Sequence, residues 1–238
     1  MAHRSHARRV VVFGATGMTG RRVVDRLVAD GVQVRALCRS EPRGFPPEVE
    51  IHRGDIRDPT SLVGVGQGMD AAICCVGTRS YFGSNGGAAV DALGTRHLVE
   101  ALREPAPHFV LLGAFGLDRR SPFLASFSLL LNRYFHWKAE AEAAVRQSGL
   151  RYTIVRPVEL RERPPRSPPL VNQRAPLSLL RTVSRELVAD VLVACAGNPA
   201  VHQRTFELCE GGDGPLADQL ARLVPDDERP LPEATPLF

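Results

Sequence analysis

The chain has 238 residues with a formal net charge of +4, 44% hydrophobic and 24% charged side chains, close to the averages for a globular domain. A chain of this length buries about 70–75% of the surface its unfolded form exposes, enough for one core without disulfides or metals. Disordered, collagen-like and coiled-coil classes are therefore excluded. The cations are lopsided, because Lys138 is the only lysine among 30 Lys+Arg residues. From Glu210 to the end there are seven acids against two arginines, which leaves the preceding body strongly basic. Its arginines are scattered and aromatics make up 6%, so no stacking surface for nucleic acid is expected. A phosphate-bearing small molecule is the expected anionic partner.

Cys38, Cys74, Cys75, Cys195 and Cys209 lie mostly in apolar runs, as buried thiols of a reducing compartment do. Cys74 and Cys75 are adjacent rather than spaced as CxxC, so no metal site is expected. The opening MAHRSHARR has no apolar core of a signal peptide. No apolar run reaches the roughly 20 residues of a membrane span. The expectation is a cytoplasmic protein without a membrane partner.

In chain order, Val10–Phe13 reads as a buried strand that runs into Gly14, Gly17 and Gly20 and then a helix over Met18–Asp30. This GxxGxxG loop between strand and helix predicts dinucleotide binding. Gly14 allows the tight turn, Gly17 lets the backbone approach a diphosphate, and Gly20 lets the helix pack closely. Thr16, Met18 and Thr19 complete the loop, and the free amides of the helix N-terminus form an anion site. The next strand, Val32–Cys38, ends at Arg39 and Ser40 with no acid. An NAD site places Asp or Glu there for the ribose 2′-hydroxyl, whereas a guanidinium pairs with a 2′-phosphate. NADP(H) is the expected cofactor.

Val49–His52 and Ala71–Val76 follow as strands, the latter leading into TRSYFGSNGG, a loop whose Arg79 and Tyr81 are candidate substrate contacts. A helix over Ala88–Arg103, a strand over Phe109–Leu112, a helix ending in WKAEAEAAVRQSG with Gly149 as its stop, and a strand over Tyr152–Val155 complete the alternation. The fold class is α/β, a doubly wound parallel sheet with helices on both faces, in one Rossmann domain spanning 1–238. After Arg156-Pro157 the stretch ELRERPPRSPPLVNQRAP reads as irregular, and 157–183 as a substrate-side loop region. SRELVADVLVACAGN then predicts a helix from Ser184 to Gly197, RTFELC a last strand, and 225–238 a peripheral tail.

GATGMTGRRVV, ALCRS, GDIRDP, VDALGTRHLVEAL, KAEAEAAVRQSGLRYTIVRP and SRELVADVLV together resemble the atypical short-chain dehydrogenases/reductases, in particular the NmrA-like NAD(P)-binding group that includes flavin/biliverdin reductase and chloroplast translocon-associated proteins. The resemblance implies that Asp55 and Ile56 flank the adenine, that Cys75, Val76 and Gly77 line the ribose side, and that Pro157 and Val158 border the nicotinamide. Tyr134 and Lys138 match the YxxxK spacing of the wider family. Four residues apart on a helix they share a face, so an ammonium favours the charged form of the phenol. Tyr134 and Lys138 are therefore the candidate catalytic pair, with Lys138 also a donor to the cofactor ribose. His136 falls on another face and reads as structural.

The same resemblance calls for a serine pair after the fifth strand, where Gly113 and Ala114 stand. Thr78, Ser80, Tyr81 and Ser121 are the substitutes to consider for the missing hydroxyl. The expected function is an NADPH-dependent oxidoreductase that transfers hydride to a small planar acceptor, such as a flavin, quinone or conjugated carbonyl, which needs less acid–base help. Two alternatives stay open: a non-catalytic NADP(H) sensor or scaffold, and an isomerase or cyclase of a small metabolite on the same fold.

Overall fold

The computed structural model describes residues 5–42, 44–78, 83–104, 106–117, 133–173 and 181–228. Arg79, Ser80, Tyr81 and Ser121 lie outside them. Strands β1 (Arg9–Phe13), β2 (Gln33–Cys38), β3 (Glu50–Arg53), β4 (Ala71–Cys74), β5 (His108–Leu112), β6 (Tyr152–Pro157), β7 (Glu159–Arg161), β8 (Pro169–Asn172), β9 (Thr182–Ser184) and β10 (Arg204–Glu210) form two sheets. The main sheet has the order β3-β2-β1-β4-β5-β6-β10-β8, parallel throughout except for β8 at its edge. The order of successive strands reverses between β1 and β4, and ligands of open α/β sheets bind at the carboxyl edge of such a switch point.

Strand alternation sorts the core into two halves. Val10 and Val12 of β1, and Val110 and Leu112 of β5, face helices α1 (Met18–Ala29) and α4 (Arg185–Cys195). Val11, Phe13, Phe109 and Leu111 face α2 (Gly94–Ala101) and α3 (Tyr134–Arg146). Central strands buried on both faces need continuous β-branched and aromatic runs such as RVVVF and HFVLL. The Ser184 hydroxyl caps α4 by accepting from the Leu187 amide at 3.1 Å. The expected helix over Ala88–Arg103 is present, but its first part, Ala88–Leu93, is π-wound. Among the described residues no helix is long and apolar enough to cross a membrane.

Two regions differ from expectation. The proline-rich stretch is not irregular throughout, since it supplies β7 and β8. Pro169 opens β8, which pairs only with β10, and at the start of an edge strand a missing N–H costs no ladder bond. The tail does not begin as a peripheral segment. Asp226 is buried, accepting from the Tyr152 hydroxyl at 3.0 Å, the Thr205 amide at 2.9 Å and the Thr205 hydroxyl at 2.6 Å. A short helix, α5 (Leu216–Ala221), delivers the chain to this anchor.

The amino edge of the sheet carries a cavity of about 420 Å³ lined in part by His6, Asp70, His108, Arg151 and His202. Here His108 is buried, and its Nδ1 accepts from the Gly197 amide at 3.1 Å. Its Nε2 lies 2.9 Å from the Thr153 hydroxyl, which donates to the Val201 carbonyl at 2.6 Å. With the threonine proton used, Nε2 carries the hydrogen and the ring is neutral. Burial, with His202 and Arg151 adding to it, pushes the His108 pKa down to about 3.

Two outcomes follow for stability. Asp226→Ala leaves the Tyr152 and Thr205 donors unpaired in the interior and should cost about 2–4 kcal/mol in urea unfolding. Between pH 6.5 and 3 the unfolded chain binds a proton that folded His108 refuses, so stability is lost as the pH falls through this window, by up to about 1.4 kcal/mol per unit. Urea unfolding at pH 7 and pH 5 should show a smaller loss for His108→Gln than for the parent.

Candidate cofactor and active site

The glycine loop closes over the end of β4. Gly14 has φ +74°, and a Cβ there would sit 2.9 Å from the Cys75 carbonyl carbon and 3.0 Å from the Val76 nitrogen, so the turn needs both the left-handed backbone and the missing side chain. A Cβ on Gly20 would lie 2.1 Å from the Gly14 carbonyl oxygen. Gly20 thus packs the helix onto the loop itself. Gly17 is the N-cap of α1 in extended conformation, with no side-chain cap and no acid in the first turn. The first intrahelical bond runs from the Arg21 amide to the Gly17 carbonyl at 2.9 Å, leaving the amides of Met18, Thr19 and Gly20 without intrahelical partners. Bare amides at the positive end of a helix dipole suit a diphosphate. Thr16 and Met18 are exposed at this edge, and Thr19 is buried.

Arg39 and Ser40 follow β2 on the same edge, both exposed, and Arg39 has no ion pair among the described residues. Asp55 is engaged otherwise, since Arg57 Nε donates to its two oxygens at 3.0 and 3.1 Å. These bonds hold its carboxyl below the usual range against the effect of burial, and the charge of Arg39 contributes in the same direction. Ile56 points its side chain into the core under α2, so beside an adenine it offers backbone rather than side chain. An uncommitted cation after β2 and a bare helix N-terminus at the switch point fit an anionic dinucleotide.

At the end of β4, Cys75 and Val76 are half-buried and Gly77 is exposed. A Cβ on Gly77 would stand 3.5 Å from Lys138 Nζ, so the expected ribose side and the lysine meet. Lys138 pairs at 2.7 Å with Asp91, both buried, and the second oxygen of Asp91 accepts from the Thr78 amide at 3.3 Å. Burial works to lower the Lys138 pKa, but the charge of Asp91, with Tyr134 and the Asp91 hydrogen bond, raises it on balance, so the ammonium stays protonated. Tyr134 stands one turn earlier, half-buried, edge-on to Phe135 at 5.2 Å. Asp91 was missed in the sequence, although an acid inside the apolar VDALG helix is a signal that a buried cation must match it. Pro157 and Val158 lie at the end of β6 beside the end of β5, with the Phe115 amide donating to the Pro157 carbonyl at 3.3 Å. The Thr78 hydroxyl donates to the Asn85 carbonyl, so it is not a spare donor.

The position of the missing serine is filled from behind. A Cβ on Gly113 would lie 2.4 Å from Glu142 Oε1 and 3.1 Å from Ile154 Cγ2. Glu142, one turn after Lys138 on α3, is fully buried and accepts from Arg156 at 3.1, 3.0 and 2.6 Å. A buried carboxylate held on a guanidinium leaves no room for any side chain at 113.

Residues 14–199 match the model of a family described as NAD(P)H-binding. An uncharacterized chloroplastic protein of Arabidopsis thaliana is 34% identical over 203 residues, 78% of this chain and 71% of that protein. Among solved structures, a short-chain dehydrogenase/reductase from Veillonella parvula in complex with NADP has a TM-score of 0.67 at 19% identity, covering 87% of this chain and 96% of that one. The anaerobillin reductase ChuY from Escherichia coli O157:H7 has a TM-score of 0.68 at 21% identity, covering 87% of this chain and 99% of that one.

Gly113→Ser is expected to destabilise the fold by about 2–5 kcal/mol, because it overpacks the strand end and displaces a buried carboxylate from its partner. Denaturant unfolding checks this, and a serine accepted without loss would contradict the geometry.

Proposed function

Because the chain belongs to the NAD(P)H-binding family, we propose that it is an NADPH-dependent reductase that delivers hydride to a small planar acceptor, a flavin, a quinone or a conjugated carbonyl. The observation that carries the acceptor class is the space behind Gly113, taken by Glu142. An isolated carbonyl normally relies on a preorganised donor at its oxygen, whereas a conjugated acceptor spreads the incoming charge over its own π-system. The Veillonella short-chain dehydrogenase/reductase carries NADP on the same fold, and ChuY on that fold is an anaerobillin reductase, which supports this reading.

The residues divide the work. Bound at the carboxyl edge, the reduced nicotinamide would supply the hydride. The amides of Met18 and Thr19 would hold the diphosphate, and Arg39 with Ser40 the 2′-phosphate. Asp55 and Ile56 would border the adenine, Cys75, Val76 and Gly77 the ribose side, and Pro157 and Val158 the nicotinamide. Lys138, kept charged by Asp91, would donate to the ribose hydroxyls, and Tyr134 would hold the proton that neutralises the reduced acceptor. Residues 157–173 and 181–183 of the 157–183 loop region, within the single domain, would form the substrate-side wall, and 174–180 lie outside the described residues. A sensor that binds NADP(H) without turnover is the second reading, favoured by the locked Lys138–Asp91 pair.

The test measures dissociation constants for NADPH and NADH and NADPH oxidation with flavin, quinone and enone acceptors. NADPH is expected to bind more tightly, and Arg39→Ala to weaken NADPH about 10- to 100-fold with little change in NADH, the range for a charged hydrogen-bonded pair. Tyr134→Phe is expected to slow enone reduction roughly 100-fold. Tight NADPH binding with no oxidation of any acceptor would replace the reductase by the sensor.

A further inference from the structure

We propose that Arg185 is a second cationic arm of the cofactor site, placed to pair with the diphosphate rather than with the 2′-phosphate; this rests on the dinucleotide reading above. Arg185 is the first residue of α4, the helix that packs along α1 on one face of the sheet. Its Nη1 donates to the Thr19 hydroxyl at 3.2 Å, and Thr19 is the second residue of α1, where the bare amides are. Its guanidinium is ion-paired with Glu162, whose other oxygen takes Arg22 of α1 at 2.8 Å.

Three features make this arrangement more than a surface contact. The Arg185 side chain is only 17% exposed although it ends at a helix terminus. Glu162, gripped from α1 and α4 together, takes Nε of the guanidinium while Nη1 reaches Thr19. The Thr19 hydroxyl is a neutral acceptor, and a phosphate oxygen beside it is a stronger one, since charge-assisted bonds are about twice as strong as neutral ones. The α4 N-terminus is not itself the site, because Ser184 already satisfies the Leu187 amide. The side chain is what reaches the neighbouring helix.

Arg39 and Arg185 then read different parts of one ligand, which makes the assignment testable. Dissociation constants are measured for NADPH, NADH, ADP-ribose and adenosine 2′-monophosphate with the full chain. Arg185→Gln is expected to weaken the first three by the same factor, about 10- to 100-fold, and to leave adenosine 2′-monophosphate unchanged. Arg185→Lys, which keeps the charge, should lose less for the same three ligands, and thermal melting of both variants shows whether the fold is intact. A loss larger for NADPH than for NADH, an equal loss for adenosine 2′-monophosphate, or no loss at all would overturn the role. Failure of the parent protein to bind any of the four would instead overturn the cofactor reading on which it rests.

Discussion

One stripe of α3 organises the half of the molecule around Lys138. Tyr134, Lys138, Glu142 and Arg146 follow one another at four-residue intervals, and Lys138 and Glu142 in the middle of the row are buried. Such a stripe is apolar in an ordinary core helix. Here Lys138 is matched by Asp91 and Glu142 by Arg156, each within 2.7 Å. Removing charges from water costs several kcal/mol per ion, and only a well-matched partner offsets it. The helix, the end of β6 and the π-wound entry to α2 are therefore fixed relative to one another by electrostatics as much as by packing. The π-wound turn has a clear consequence, since it brings Asp91 beneath a helix that offers the single lysine.

The two pairs have opposite effects on the chemistry. Asp91 keeps Lys138 charged and immobile beside Gly77, which suits a fixed donor to a sugar. Glu142 occupies the space that a hydroxyl would need at Gly113. On the proposed reading, the site keeps its means of holding a cofactor and lacks the usual hydroxyl for polarising an acceptor. On the same reading, what remains favours an acceptor with its own electron sink.

Much of this was legible along the chain. The strand, glycine loop and helix at residues 10–29 are a local pattern, and each glycine has a local steric reason. Arg39 was legible for the same reason, as a fixed distance along a strand separates it from the loop. The features that were not legible are pairings between distant segments. Asp91 and Lys138 are 47 positions apart, Glu162 and Arg22 140, Arg185 and Thr19 166. Burial of Asp226 in a region that reads as an acidic tail, and pairing of the Pro169 segment on β10, also depend on tertiary neighbours. A sequence shows that an acid or an arginine is present but not which distant partner makes it worth burying.

The cation usage now has a structural division. Arginine is used where a planar fork meets oxygen pairs, on Asp55 and Glu142, and it stands at both proposed phosphate contacts. The lysine is used once, where its ammonium pairs with Asp91 at 2.7 Å and stands 3.5 Å from where a Cβ on Gly77 would be. A guanidinium there would have to place its plane between the end of β4 and the Asp91 carboxylate, and it would present donors in a fixed fan rather than in three rotatable directions. An arginine-rich composition explains 29 of the cations. The geometry around Nζ explains why the thirtieth is different.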